Sequence, residues 1–181
     1  GQGEMIWPTG QKYVGEWSEG KRDGFGTITK PNGQKYSGNW TDGKKQGLGE
    51  EIREDGSIYK GMFHNNYRSG TGTLIIFGQK YVGEFKKDTA NGEGRLRYQD
   101  GSVYEGTMFY GYPKGIGKMK YASGEMYFGE FENGIPSGNG SLNFADGGKY
   151  VGEWKDAQKN GKGFNFLADG STVFCTYVDG K

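Results

Sequence analysis

The apolar and polar positions alternate with a period of two over short runs, and those runs recur with a period of 23. Tyr13-Val14-Gly15-Glu16-Trp17 sets the pattern. Tyr13, Gly15 and Trp17 fall on one face of an extended strand, while Lys12, Val14 and Glu16 fall on the other. The first face is ring-rich and the second largely polar, so it reads as solvated. The tyrosines return at Tyr36, Tyr59, Tyr81, Tyr104, Tyr127 and Tyr150, with one step of 22 in the third unit, where Gly78 comes one place early. A six-residue turn such as Glu19-Gly20-Lys21-Arg22-Asp23-Gly24 is expected next. A second short strand follows, as in Gly94-Arg95-Leu96-Arg97-Tyr98. Gln99-Asp100-Gly101 or Ala145-Asp146-Gly147 then returns the chain, because Asp-Gly accepts positive φ.

Each unit thus predicts one β-hairpin, and an isolated hairpin is marginal in water. Successive hairpins are expected to pair into an all-β, elongated, single-layer antiparallel sheet, stabilised by neighbours as other repeat arrays are. About sixteen strands at ~4.8 Å spacing give a ribbon roughly 75 Å long. It should twist and curve into a trough toward the rings. The strand glycines leave holes that a ring from the neighbouring strand can cover. The boundaries read as a partial unit at 1–12, full units at 13–35, 36–58, 59–80, 81–103, 104–126, 127–149 and 150–172, and a partial unit at 173–181. Starting and stopping inside the register suggests a piece of a longer array.

Composition agrees with a thin β-rich object. Of 181 residues 37 are glycine, 32% are hydrophobic and 15% are aromatic. Low aliphatic content argues against a two-layer globule, and abundant rings with a net charge of +1 argue against disorder. The same charge argues against nucleic acid as a partner. No apolar run is long enough to span a bilayer as a helix, and no signal-peptide pattern is present. The lone Cys175 leaves no internal disulfide, which points to a reducing, cytoplasmic setting.

The unit Tyr36-Ser37-Gly38-Asn39-Trp40-Thr41-Asp42-Gly43-Lys44 resembles the MORN (membrane occupation and recognition nexus) repeat family, and the resemblance runs through the whole chain. Departures are mild: Met108 for an aromatic, Asn66, Asp88 and Ala157 for a turn glycine, and a degenerate last unit. The resemblance implies a twisted, trough-shaped single sheet and a place in cytoskeletal, ciliary or membrane-junction assemblies. It also leaves open an accessory array beside a lipid kinase or lysine methyltransferase domain.

Catalytic readings find little support. His64 and Cys175 are nearly five repeats apart. Zinc-ligand spacing is absent. The runs Gly15 to Lys21 and Gly38 to Lys44 match a phosphate loop only until Arg22 and Lys45 appear where Ser or Thr is needed. Glu16, Glu84, Glu130 and Glu153 read as surface acids paired with lysines. No cofactor, metal or small-molecule substrate is expected.

Two surfaces remain. Ile76, Tyr98, Tyr121, Phe144 and Leu167 fall four residues after the second glycine of their units, on the ring face, where the first two units have Lys30 and Arg53. This row is the candidate groove for a partner protein segment or a second copy of the chain, which makes a non-catalytic scaffold the leading reading. Tyr67, Tyr110 and Tyr112 are turn aromatics that would extend it. Lys21, Arg22, Lys44, Lys45 and Arg68 sit in the expected turns and could line one edge for anionic phospholipid. The plainer reading of that edge is a solvated surface.

Overall fold

A computed structural model describes residues 1–181. It has sixteen strands and no helix. The strands form one antiparallel sheet in which spatial order follows sequence order. Contacts divide the chain into two compact units, Gly1–Thr89 and Ala90–Lys181. The first unit carries β1 (Gln2–Ile6), β2 (Lys12–Ser18), β3 (Lys21–Thr29), β4 (Lys35–Thr41), β5 (Lys44–Ile52), β6 (Ile58–His64), β7 (Tyr67–Ile76) and β8 (Gln79–Lys86). The second carries β9 (Thr89–Arg97), β10 (Val103–Phe109), β11 (Tyr112–Lys120), β12 (Met126–Glu132), β13 (Ile135–Asn143), β14 (Lys149–Lys155), β15 (Gln158–Phe166) and β16 (Thr172–Tyr177).

Two kinds of turn alternate. The expected six-residue turn is only two residues long: Glu19 (φ 48°) and Gly20 (φ 75°) both sit in the left-handed region, as a type I′ hairpin requires. Lys21 through Gly24 therefore belong to β3, not to a loop. The other connection is a three-residue loop. Trp7 N–H donates to Gln11 O and Gly10 N–H to Trp7 O, both at 2.9 Å, and the pattern repeats through Leu167 and Ser171. Asp55, Asp100, Asp146 and Asp169 each accept the N–H two residues on, fixing these loops. The 22-residue unit is explained here. Ile76 pairs directly with Gln79, so Phe77-Gly78 forms a two-residue turn and the deletion leaves the register of Tyr81 against Leu74 intact.

The core is one row of rings over bare backbone. The seven repeat tyrosines are 0–4% exposed. Gly15 pairs with Gly26, and a Cβ on Gly26 would lie 2.1 Å from Tyr13 Oη. One ring thus covers both glycines of the pair: Tyr13 lies over Gly26 of the neighbouring strand, as expected, and its hydroxyl end also reaches Gly15 on its own strand. Each of the seven repeat tyrosine hydroxyls donates to the carbonyl three residues on, as Tyr13 does to Glu16 O at 3.0 Å and Tyr127 to Glu130 O at 3.0 Å. Edge-to-face contacts then link the rings. In the first unit they run Tyr13–Trp40, Tyr36–Phe63 and Tyr59–Phe85 at 4.9–5.6 Å. In the second they run Tyr104–Phe131, Tyr127–Trp154 and Tyr150–Tyr177 at 5.0–5.5 Å.

A bulge follows the glycine pair within hairpins closed by a two-residue turn, and the glycine pairs between hairpins stay in regular register. After Gly15↔Gly26 the next pair is Trp17↔Arg22, so one residue of β2 faces three of β3. The orphaned N–H of Phe25 is met by Glu16 Oε1 at 2.7 Å, that of Asn139 by Glu130 at 2.8 Å, and that of Lys162 by Glu153 at 3.1 Å. These three glutamates are backbone caps inside bulges, not the lysine partners that their surface placement suggested.

Candidate interaction surface

Cations cover the ring face of the first unit. Because β3, β5 and β7 begin directly after two-residue turns, their second residues point onto that face. The Arg22 guanidinium lies 4.1 Å from the Trp40 ring centroid and donates to Gly43 O at 2.8 Å. Lys45 Nζ lies 4.6 Å over Tyr36 and bonds Glu51, which also accepts from Arg53 Nε at 2.9 Å. Arg68, only 6% exposed, donates to Asp88 O at 2.7 Å and lies 3.3 Å from its carboxylate. Burial lowers the Arg22 and Arg68 pKa values. Burial pushes the Glu51 carboxyl up, but the bonds from Lys45 and Arg53 together outweigh it and the net shift is downward.

Of the five candidate phospholipid contacts, Arg22, Lys45 and Arg68 are therefore turned inward and engaged. Lys21 and Lys44 are exposed, and Lys21 is paired with Asp42 at 2.8 Å. The structure does not gather the five into one patch.

The second unit fills the same positions differently. Ala90, Pro113, Pro136 and Lys159 stand where the first unit has Arg22, Lys45 and Arg68. Both prolines are buried, opposite Met108 and Phe131. Beside them lie Leu96, Met119 and Leu142, paired with Tyr104 and Tyr127. Tyr98, Tyr121 and Phe144 open successive three-residue loops and are half-buried. Burial raises the pKa of Tyr98, and the nearby Tyr121 adds to the shift; burial likewise raises that of Tyr121. Their two loops touch, with Ala122 N–H donating to Ser102 Oγ at 3.1 Å. Phe144 has Lys159 Nζ 4.9 Å over its ring. Leu167, in the equivalent loop, is 48% exposed, and Ile76 lies half-buried in the first unit.

The sequence had singled out Tyr110 and Tyr112, but not Phe109 beside them nor the apolar residues of the opposite face. Phe109 and Tyr110 form an exposed edge-to-face pair at 4.5 Å, with Tyr110 held at φ 48° in a turn position that elsewhere carries Glu, Asp, Asn or Lys. Tyr112 is exposed beside it. The face opposite the rings was expected to be polar, yet in β12–β16 it exposes Phe128, Val151, Phe164, Phe166 and Phe174. The signal was present as aromatic residues at positions flanking Tyr or between glycines, but they recur in no fixed phase.

His64 contacts Gln46 and Asn65 through its two ring nitrogens, and Cys175 takes an N–H from Asn165. No cluster of three His, Cys, Asp or Glu is placed to hold a metal. No helix is long and apolar enough to cross a membrane.

The MORN repeat pattern matches residues 1–12, 13–35, 36–58, 59–76, 81–103, 104–126, 127–149 and 150–172. No curated protein sequence matches the chain. Among solved structures, the TCP domain of SAS-4 from Drosophila melanogaster, solved in complex with a proline-rich motif of Ana2, is similar at TM-score 0.53 and 15% identity over 97% of this chain and 90% of that one. The TCP10 domain of Danio rerio CPAP is similar at 0.55 and 14%, over 96% and 82%. The CPAP G-box domain gives 0.53 and 14%, over 98% and 100%. At these identities the likeness is one of fold.

Proposed function

The chain belongs to the MORN repeat family, and from that premise we propose that it is a non-catalytic protein-interaction module. Its second unit holds an extended partner segment along the loop row Tyr98, Tyr121, Phe144 and Leu167. The observation that carries this reading is the change of residues between the units. Where the first unit covers its rings with Arg22, Lys45 and Arg68, the second has Ala90, Pro113 and Pro136, with a cation, Lys159, only in its last such strand. Where the first has Lys30 and Arg53 at the loop start, the second has half-buried rings. Such a row offers flat apolar faces with hydroxyl donors at their rims, a combination that suits a segment whose own carbonyls are free. A proline-rich stretch is of that kind, since a polyproline II helix has no internal hydrogen bonds. The SAS-4 domain, alike in fold, was solved with a proline-rich motif.

The test is capture from source-cell lysate by the chain and by a Tyr98→Ser, Tyr121→Ser, Phe144→Ser variant, after both give the same circular dichroism and melting. A protein held in ~0.5 M salt, where the Debye length is only a few ångströms, and lost by the variant supports the row. Equal capture by both removes it. Retention that collapses with salt, together with binding to phosphatidylserine vesicles, would move the reading to the phospholipid alternative, for which Lys44 is the freest of the five cations.

A further inference from the structure

The ring face and the opposite face of a single-layer sheet are chemically independent, because side chains alternate between them. On the face opposite the rings, a row of direct cross-strand pairs runs Phe128, Ser141, Val151, Phe164, Phe174 across β12–β16, with Phe166 one step along β15. Phe128 is 57% exposed, Phe174 56% and Phe164 47%. Phe164 and Phe174 touch edge to face at 5.3 Å. At ~200 Å² per ring, four phenylalanines near half exposure leave roughly 400 Å² of apolar surface, the size at which a patch on a monomer is often functional. The equivalent row in the first unit, Val14, Thr27, Ser37, Glu50, Lys60 and Thr73, is mostly polar.

Charge around the patch is one-sided. Lys118 stands directly opposite Phe128, Lys120 opposite Met126, Lys149 opposite Phe166, and Lys162 beside Phe164. None of these four is in an ion pair. The acids of the same face are already engaged. Glu105 pairs with Arg95 at 3.0 Å, while Glu130 and Glu153 are folded into their bulges. What remains is an apolar strip framed by four free ammonium groups. The backbone of β12–β15 is paired on both sides within the sheet, so an added strand finds no donors or acceptors there. The occupant has to engage through side chains alone.

We propose that this face is a second docking surface, and that it takes an acidic amphipathic helix from another protein. The helix's apolar stripe, about 100° wide, lies over Phe128, Val151, Phe164 and Phe174. Its carboxylates meet Lys118, Lys120, Lys149 and Lys162. A bilayer fits less well: sinking the patch into the headgroup region, roughly 5–10 Å deep, would carry Glu105, Glu130 and Glu153 in with it.

The experiment is selection of a phage-displayed random-peptide library on the intact chain at about 0.15 M salt. Enriched peptides are then measured by fluorescence anisotropy against three variants checked for unchanged circular dichroism. Expected are peptides of net negative charge with apolar residues at helical spacing. Their affinity drops at least about tenfold on Phe164→Ser with Phe174→Ser, and falls likewise on Lys118→Glu with Lys162→Glu. It stays unchanged on Tyr98→Ser with Tyr121→Ser. The charge reversal touches only exposed side chains, so it tests the site even if the phenylalanine pair disturbs the fold. No enrichment, or peptides that are neutral or basic, overturns the proposal. Peptides lost only on the tyrosine variant support the loop row and overturn this face. Phosphatidylserine vesicles bound by the chain and released by Phe164→Ser with Phe174→Ser overturn it in favour of a membrane.

Discussion

Gly140→Ala is the substitution that tests how this sheet is held together. A Cβ there would lie 2.2 Å from Tyr127 Oη and 2.5 Å from its Cζ. The ring has nowhere to go: Phe131 lies against it at 5.2 Å, Trp154 at 5.1 Å, and its hydroxyl is bonded to Glu130 O. Overpacking of this kind costs about 1–3 kcal/mol, and losing the hydroxyl bond adds about 1 kcal/mol. Gly140 is not in the left-handed region, so replacing it with alanine also lowers the entropy of the unfolded chain, returning about 0.4–1 kcal/mol. The net expectation is a loss of about 2–3 kcal/mol. Gly147→Ala is the contrast: its φ is 92° and no atom lies within 4 Å, so only backbone strain of about 1–2 kcal/mol applies. The decisive step is the cycle with Tyr127→Ala, read by urea unfolding and by hydrogen exchange of the β12–β15 amides. With the ring gone, Gly140→Ala should cost nothing further. The two sites would then be coupled by about 2–3 kcal/mol. Additivity within about 0.5 kcal/mol would refute the claim that the ring is what demands glycine.

Two further outcomes follow from the same geometry. Arg68→Met should destabilise the first unit by roughly 1–2 kcal/mol, because it removes the guanidinium bonds to Asp88 and uncovers Tyr59, to whose ring centroid the guanidinium lies at 5.5 Å, while the partly exposed Asp88 carboxylate keeps its bond from the Arg68 N–H; an unchanged urea midpoint would show that the arginine is idle. Alkali should loosen the first unit: burial raises the Tyr59 pKa from 10.0 to about 12, so the stability this hydroxyl contributes is fully present below pH 10 and is lost as pH rises through about 12, which tyrosinate absorbance recorded alongside circular dichroism would register, and Tyr59→Phe should flatten that part of the profile.

The repeat and the ring face were legible because Tyr13, Gly15 and Trp17 share a strand face and the glycines recur in phase. The strand boundaries were less so. Lys21-Arg22-Asp23-Gly24 has the composition of a loop, yet a type I′ turn at Glu19-Gly20 leaves those residues in β3 and delivers Arg22 to the ring face. That one displacement changes Arg22, Lys45 and Arg68 from edge charges into ring covers. Glu16, Glu130 and Glu153 were misread for a related reason. A bulge is not visible in a period-two pattern, so an acid that caps an orphaned N–H looks like any exposed glutamate. The loop row was readable from its spacing, but its burial was not: Tyr98, Tyr121 and Phe144 are half-buried while Leu167, at the equivalent position, is 48% exposed.

Departures from the repeat are not independent of each other, and their pairing explains why the ring face can change character without loss of fold. The second residue of each long strand accepts a backbone bond from the turn of the next repeat: Asn66 N–H donates to Lys45 O, Asp88 to Arg68 O, Gly134 to Pro113 O and Ala157 to Pro136 O, at 2.9–3.1 Å. That bond survives every substitution because it uses main-chain atoms only. The N–H on the same residue is what varies. Lys45 N–H is met by the Asn66 side chain and Arg68 N–H by Asp88, both at 2.9 Å. Pro113 and Pro136 have no N–H to satisfy, and the next turns carry Gly134 and Ala157, which have no side-chain acceptor. Lys45 and Arg68 go with Asn66 and Asp88 one turn on, and Pro113 and Pro136 with Gly134 and Ala157. Arg22 and Lys159 depart from this, since the next turns bring Gly43 and Gly180. In the four matched repeats the turn and the ring cover before it change together, so that each N–H of Lys45 and Arg68 has an acceptor and each proline needs none.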